Sequence, residues 1–178
     1  MNNENMFTLW ITGISASGKT TLAKKIIKKL NSDHIYKNII LIDGDEIRQS
    51  IGFYKYNNLD REQIGILKAE LAQKENTNGK IVIVTGIASK AKWRKDYRKI
   101  IDNYYEIYLK CSLEICSSRD FKGQYQKAQT GDIKNFAGVT DQYEEHELVD
   151  LVIDTENTSV TDSTKILYSF INKIRKKT

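Results

Sequence analysis

The run Gly13-Ile14-Ser15-Ala16-Ser17-Gly18-Lys19-Thr20 constrains this chain more than any other stretch. It fills the pattern G-x-x-x-x-G-K-[ST] and lies between an apolar run at residues 7–11 and a helical pattern at residues 21–30. Glycines let a backbone curl until successive N–H groups face inward and cradle phosphate oxygens. A lysine at this place reaches the β- and γ-phosphates, and the Thr20 hydroxyl is set for Mg²⁺. The helix that follows adds its positive dipole end to the same anion. A Gly/Ser-rich turn before a basic helix is the bland alternative, and the strand before and helix after count against it. The motif predicts a chain that binds a nucleoside triphosphate.

Further apolar runs of strand length recur at residues 38–42, 80–84, 105–109 and 148–153. Helical patterns fall at about residues 19–30, 60–74, 90–101 and 112–119, with an amphipathic stretch at 160–174. Strands alternating with helices mean βαβ units, and hence a parallel sheet covered on both faces. The expected fold is α/β, a five-stranded parallel sheet flanked by helices. With 178 residues and neither a proline nor a linker, one domain over 1–178 is expected. Such sheets bind ligands beyond the carboxyl ends of their strands. The phosphate loop, Asp43-Gly44-Asp45 and Thr85-Gly86 all fall at those ends, although Asp-Gly-Asp alone would be an ordinary turn. One segment, about residues 120–147, breaks the alternation: it is polar, rich in Lys and Gln, and punctuated by Gly123, Gly131 and Gly138. Its lysines and its aromatics (Phe121, Tyr125, Phe136) suggest a lid over phosphates and a base, with disorder as the alternative.

Composition narrows the class. The net charge of +5 suits phosphorylated substrates. No apolar run approaches the ~18 residues of a membrane span, and the N-terminal residues lack a signal-peptide layout, so a cytoplasmic protein is expected. Cys111 and Cys116 are too far apart for a C-x-x-C pair and read as reduced thiols. His34 and His146 have no metal-ligand spacing and read as surface residues. The basic stretch 90–95 around Trp93 reads as a solvated helix face rather than an RNA site, so no nucleic-acid partner is expected. A guanine signature of the N-K-x-D type is absent, which disfavours a GTPase. A short chain with a Lys-rich lid points to a kinase of small molecules.

Longer motifs carry a resemblance. Residues 10–23 read W-I-T-G-I-S-A-S-G-K-T-T-L-A, residues 42–48 read I-D-G-D-E-I-R, Ile51-Gly52-Phe53 and Asp60-Arg61 follow, and Tyr143-Glu144 lies near the lid's end. Residues 122–138 fill every fixed position of K-G-x-Y-x-K-A-x-x-G-x-I-K-N-F-x-G. Together these resemble the adenylylsulfate kinase family, over roughly residues 8–155. The resemblance implies a P-loop NTPase fold and transfer of the ATP γ-phosphoryl group to the 3′-hydroxyl of a nucleotide ribose.

It also implies roles. Lys19 and the loop residues Gly13, Ser15, Ala16, Ser17, Gly18, Thr20 and Thr21 would hold ATP, and Thr20 with Asp43 would serve Mg²⁺. Asp45, beside Asp43, is the expected base, since phosphoryl transfer depends chiefly on alignment and charge stabilisation. Arg48 and Arg61 suit the anionic part of the acceptor, because a guanidinium forks onto such oxygens. Phe53 and Phe136 would sandwich the acceptor base, with Ile87 and Ser89 on the acceptor side; the family has a serine that takes phosphate at the place of Ser89. Lys122 and Lys134 would neutralise phosphates as the lid closes, and Arg119 would pack over the ATP adenine. A small nucleotide acceptor is the expected partner, and a homodimer is compatible with the family.

The chain departs from the family on the acceptor side. After D-R the family continues x-E-N-I-R-R, whereas this chain has Glu62-Gln63-Ile64-Gly65-Ile66-Leu67. The family's A-F-I-S-P is Gly86-Ile87-Ala88-Ser89-Lys90, and the loop between Phe53 and Asp60 is longer. An intact donor half beside an altered acceptor half fits a shifted acceptor. Adenylyl sulfate is the default, cytidine diphosphoramidate the runner-up. A non-catalytic nucleotide-binding regulatory module is the reading from another class; the retained Lys19, Thr20, Asp43 and Asp45 weigh against it.

Overall fold

In the computed structural model, which describes residues 6–33, 36, 38–50, 58–120, 123–144 and 147–177, the five apolar runs become strands. They are β1 (Thr8–Thr12), β2 (Ile39–Asp43), β3 (Ile81–Thr85), β4 (Tyr104–Lys110) and β5 (Leu151–Asp154). All pair in parallel, in the order β2-β3-β1-β4-β5. Every residue of β1 and β3 is buried. That is why these two strands read as continuous apolar runs: helices cover both faces of the central sheet.

The helices are α1 (Lys19–Asn31), α2 (Gly44–Ser50), α3 (Asn58–Thr77), α4 (Ala91–Ile100), α5 (Leu113–Ser118), α6 (Gln124–Gln129) and α7 (Val160–Lys177). Alternate strand residues feed two cores, as the two-residue strand period requires. Leu9, Ile11, Ile83, Ile107 and Leu109 pack with Leu22, Ile26 and Leu30 of α1 and with Leu167 and Ile171 of α7. Trp10, Val82 and Val84 point the other way, onto Ala69 and Ala72 of α3 and Trp93 and Tyr97 of α4. Trp10 stacks on Tyr97 with ring centroids 4.4 Å apart. Among the described residues no helix is long and apolar enough to cross a membrane.

Three expectations need correction. The segment from 120 is not structureless where described: α6 buries Tyr125 and Ala128 against Ile14, Cys116 and Phe136. With two anchoring residues three apart, α6 shows too little periodicity to be read from sequence. No helical pattern is expected between the second apolar run and residue 60, yet β2 opens directly into α2, whose first residue, Gly44, argues against a helix by propensity. The basic stretch 90–95 is a solvated face only in part. Lys92 and Lys95 are exposed, but Trp93 and Arg94 turn inward, and Arg94 forms an ion pair with the buried Glu106 (3.5 Å). Cys111 and Cys116 are both free thiols. His34 and His146 lie outside the described residues.

Candidate active site

The site begins where the strands end. Asp43 closes β2 and stands in register with Thr85, the last residue of β3. The Thr85 hydroxyl donates to Asp43 Oδ2 at 2.7 Å, and the Thr20 hydroxyl, at the start of α1, donates to the same oxygen at 2.9 Å. The Asp45 amide donates to Oδ1 at 2.9 Å. Burial pushes the Asp43 carboxyl up, yet these hydrogen bonds outweigh it, with help from the Lys68 charge, and hold it below the ordinary carboxylate value. Asp43 is thus a fixed anion.

Between β1 and α1 the chain forms a tight loop. A side chain at Gly13 would place Cβ 2.7 Å from Ser17 Oγ and 2.8 Å from the Leu109 carbonyl, so only glycine fits. Ala16 and Gly18 take left-handed conformations (φ 57° and 95°), which give the loop its curl. Lys19 folds back over it and donates to the Ile14 carbonyl at 2.6 Å. The loop is braced from outside: the Tyr125 hydroxyl of α6 donates to the Ser15 carbonyl at 2.8 Å, and the Thr155 hydroxyl to the Ser17 carbonyl at 3.0 Å.

A cleft of about 730 Å³ opens over these elements. It brings together the expected residues Ser15, Ala16, Ser17, Gly18, Lys19, Thr20, Thr21, Asp43, Asp45, Arg48, Arg61, Ile87, Arg119 and Phe136. Gly13 lies beneath the loop rather than in the cleft wall. Arg61 is buried, with Asp141 Oδ2 3.7 Å away. Arg119 donates to the Thr155 carbonyl at 3.0 Å. Phe136 lines the cleft but is only 5% exposed, its ring set edge-to-face on Tyr125 (5.0 Å).

Two expected acceptor residues are not brought in. Ser89 is fully buried, and its hydroxyl donates to Asp141 (3.1 Å) at the foot of the lid segment, so it braces that segment instead of lining the cleft. Lys134 is exposed away from the cleft wall. Phe53 and Lys122 lie outside the described residues.

Several further wall residues were missed by the sequence reading, among them Gly65 and Lys68 of α3, Tyr97 of α4 and the segment 155–160 after β5. Lys68 is 5% exposed, donates to the Thr85 carbonyl at 3.2 Å and lies over the Trp10 ring at 4.9 Å. Burial and then the Arg48 guanidinium push its ammonium down to about 7, Lys19 pushes the same way, and Asp43 and Asp45 pull against them. A signal was present: Lys68 is four residues after Ile64 and four before Ala72, on the buried stripe of α3. A Cβ on Gly65 would fall 1.8 Å from the Tyr97 hydroxyl.

Among the described residues no group of three or more His, Cys, Asp or Glu could cage a metal. The Thr20 hydroxyl beside the ionised Asp43 suits a different donor set. Mg²⁺ keeps several waters and is commonly held by one or two protein oxygens together with substrate phosphates. The pair fits that ion.

Comparison with known proteins follows the same lines. Residues 5–154 match the family model described as adenylylsulphate kinase. The cytidine diphosphoramidate kinase of Campylobacter jejuni is 39% identical over 149 residues, 84% of this chain and 86% of that protein. A probable adenylyl-sulfate kinase of Archaeoglobus fulgidus is 39% identical over 155 residues, 84% and 96% of the respective chains. The structure of a Mycobacterium tuberculosis APS kinase in complex with AMPPNP and APS superposes with a TM-score of 0.86 at 26% identity, covering 94% of this chain and 98% of that one.

Proposed function

Because the chain belongs to the adenylylsulphate kinase family, we propose that it transfers the γ-phosphoryl group of ATP to the 3′-hydroxyl of adenylyl sulfate. The observation that carries this reading is the junction of phosphate loop and Asp43: Lys19, Thr20 and Asp43 meet at the floor of one cleft that also holds Asp45, Arg48 and Arg61.

In this reading the loop amides and Lys19 hold the triphosphate. Thr20 and Asp43 would hold Mg²⁺, and the ion would supply positive charge to offset that of the triphosphate. Asp45, exposed at the start of α2, takes the proton of the 3′-hydroxyl as the new P–O bond forms and the bond to the β-phosphate oxygen breaks, releasing ADP. Its amide donates to Asp43, which holds the backbone next to the base in place. Arg48 and Arg61 meet the anionic part of the acceptor. The whole chain acts as one kinase domain whose lid, around residues 120–147, shields the reaction from water. Free thiols and a need for ATP suit the cytoplasm.

A second acceptor, cytidine diphosphoramidate, is favoured by one feature: the wall between Arg61 and Lys68 is Ile64-Gly65, without the family's asparagine, and the relative that serves that acceptor is 39% identical. That activity would place the protein in capsule synthesis. An ADP-release assay with ATP and Mg²⁺, offering the two acceptors in parallel, decides. Turnover of adenylyl sulfate is the expected result. Turnover of the cytidine compound alone would transfer the reading to the second acceptor, and turnover of neither would overturn both.

A further inference from the structure

Between Gln63 and Glu70, α3 carries Ile64, Gly65, Ile66, Leu67, Lys68 and Ala69, so Lys68 is the only polar side chain this stretch can offer a ligand. Its ammonium is buried in the cleft wall, yet its hydrogen bond within the described protein is a single one, to the Thr85 carbonyl. An ammonium has three N–H donors. The space around it has been cleared: a Cβ on Gly86 would stand 2.3 Å from Lys68 Nζ, and one on Gly44 would stand 3.4 Å away. Its electrostatic neighbours are Arg48 and Asp45 of α2, Asp43 of β2, and Lys19 of the phosphate loop. Lys68, Arg48 and Lys19 bring three basic side chains to the wall of one cleft, a setting that suits an anionic ligand.

We propose that Lys68 is an acceptor-binding residue, whose ammonium, uncovered by Gly86, takes a phosphate oxygen of the acceptor nucleotide. The inference rests on the nucleotide-kinase reading and names the residue that makes its acceptor site. The γ-phosphate of ATP is the other source of the same chemistry. The acceptor is favoured because Lys68 stands at the ends of β2 and β3, beside Arg48, whereas Lys19 serves the donor side.

The test compares the wild type with Lys68→Met, Gly86→Ala and the double variant. Methionine keeps the apolar stem against Trp10 and should fold. Adenosine and cytidine 5′-phosphates are titrated calorimetrically into protein loaded with ADP and Mg²⁺, so the readout needs no turnover. Lys68→Met should weaken the nucleotide that the wild type binds by tenfold or more, leave ADP affinity within twofold, and raise the KM of whichever acceptor is turned over. Gly86→Ala should do the same by displacing Nζ. In the double variant the added Cβ would face the position of a terminal carbon, 3.7 Å away for Lys68 Cε, so its further effect should stay within twofold. Wild type that binds neither nucleotide, unchanged binding in Lys68→Met, weakened ADP binding, or a full second loss in the double variant would each overturn the proposal. Lys68-dependent binding without turnover would instead uphold it and refute the kinase reading.

Discussion

Asp43 and Thr85 close adjacent strands, and the hydroxyl of one is hydrogen-bonded to the carboxylate of the other at 2.7 Å. Thr85→Val keeps the shape and removes that donor. Leaving a buried carboxylate oxygen less satisfied should cost about 1–2 kcal/mol in urea unfolding at pH 7. Asp43 has a depressed folded value, so its contribution is present above the unfolded value of 3.8 and is lost as pH falls through the folded one. The variant should therefore lose less stability than the wild type between pH 5 and 3. Parallel acid-unfolding slopes would show that Thr85 does not tune Asp43.

Lys19→Met should reduce kcat about 10²–10³-fold, the magnitude typical of deleting one charge-stabilising donor in a reacting site. The fold should survive, because the core strands and helices pack without this side chain, which lines the cleft. Steady-state kinetics and a melting curve check both halves.

Lys68 gives a pH signature of the same sign in a higher window. Its folded value, about 7, lies below the ordinary 10.5, so folding releases a proton in that window and stability rises with pH across it. Lys68→Met removes the buried charge and should be the more stable protein by about 1–4 kcal/mol at pH 6.5. The gain should shrink toward zero above pH 10. Urea titrations at pH 6.5 and 10 measure the difference, and a gain independent of pH would reject the account.

Gly65→Ala should destabilise by about 1–3 kcal/mol through overpacking. The clash involves both the Tyr97 hydroxyl at 1.8 Å and the ring carbon that bears it at 2.5 Å. Tyr97→Phe removes only the first, so it should rescue Gly65→Ala in part. Complete rescue in thermal melts would mean that the hydroxyl alone sets the spacing.

Tyr125→Phe frees the Ser15 carbonyl from the α6 side. The loop loses about 1 kcal/mol of bracing, and the KM for ATP should rise roughly fivefold while the melting temperature falls little. An unchanged KM would show that the phosphate loop holds its shape without α6.

Much of this architecture was legible because it rests on local, periodic signals. The apolar runs that became β1 and β3, and the glycine–lysine–threonine spacing of the loop, are dictated by short-range physics. What escaped depends on contacts distant in sequence. α6 is anchored by Tyr125 reaching back 110 residues to Ser15. Lys68 meets the Thr85 carbonyl of β3 and lies close to Gly44 of α2, contacts that no local motif specifies. Ser89 carries a plausible hydroxyl, but only the fold shows that Asp141 already accepts it. The part of the cleft wall built by the phosphate loop could be read from the loop motif, whereas the part built by Gly65, Lys68 and Tyr97 emerged from the packing of α3 against α4.

The bond from Lys19 to the Ile14 carbonyl means that the cradle holds its own lysine before any nucleotide arrives. An ammonium carries three N–H donors, so a phosphate oxygen can join the internal carbonyl without displacing it. With the side chain already folded over the loop, less rotamer freedom is left to lose on binding, and the entropic cost of engaging a phosphate should be smaller than for a lysine that starts extended in water.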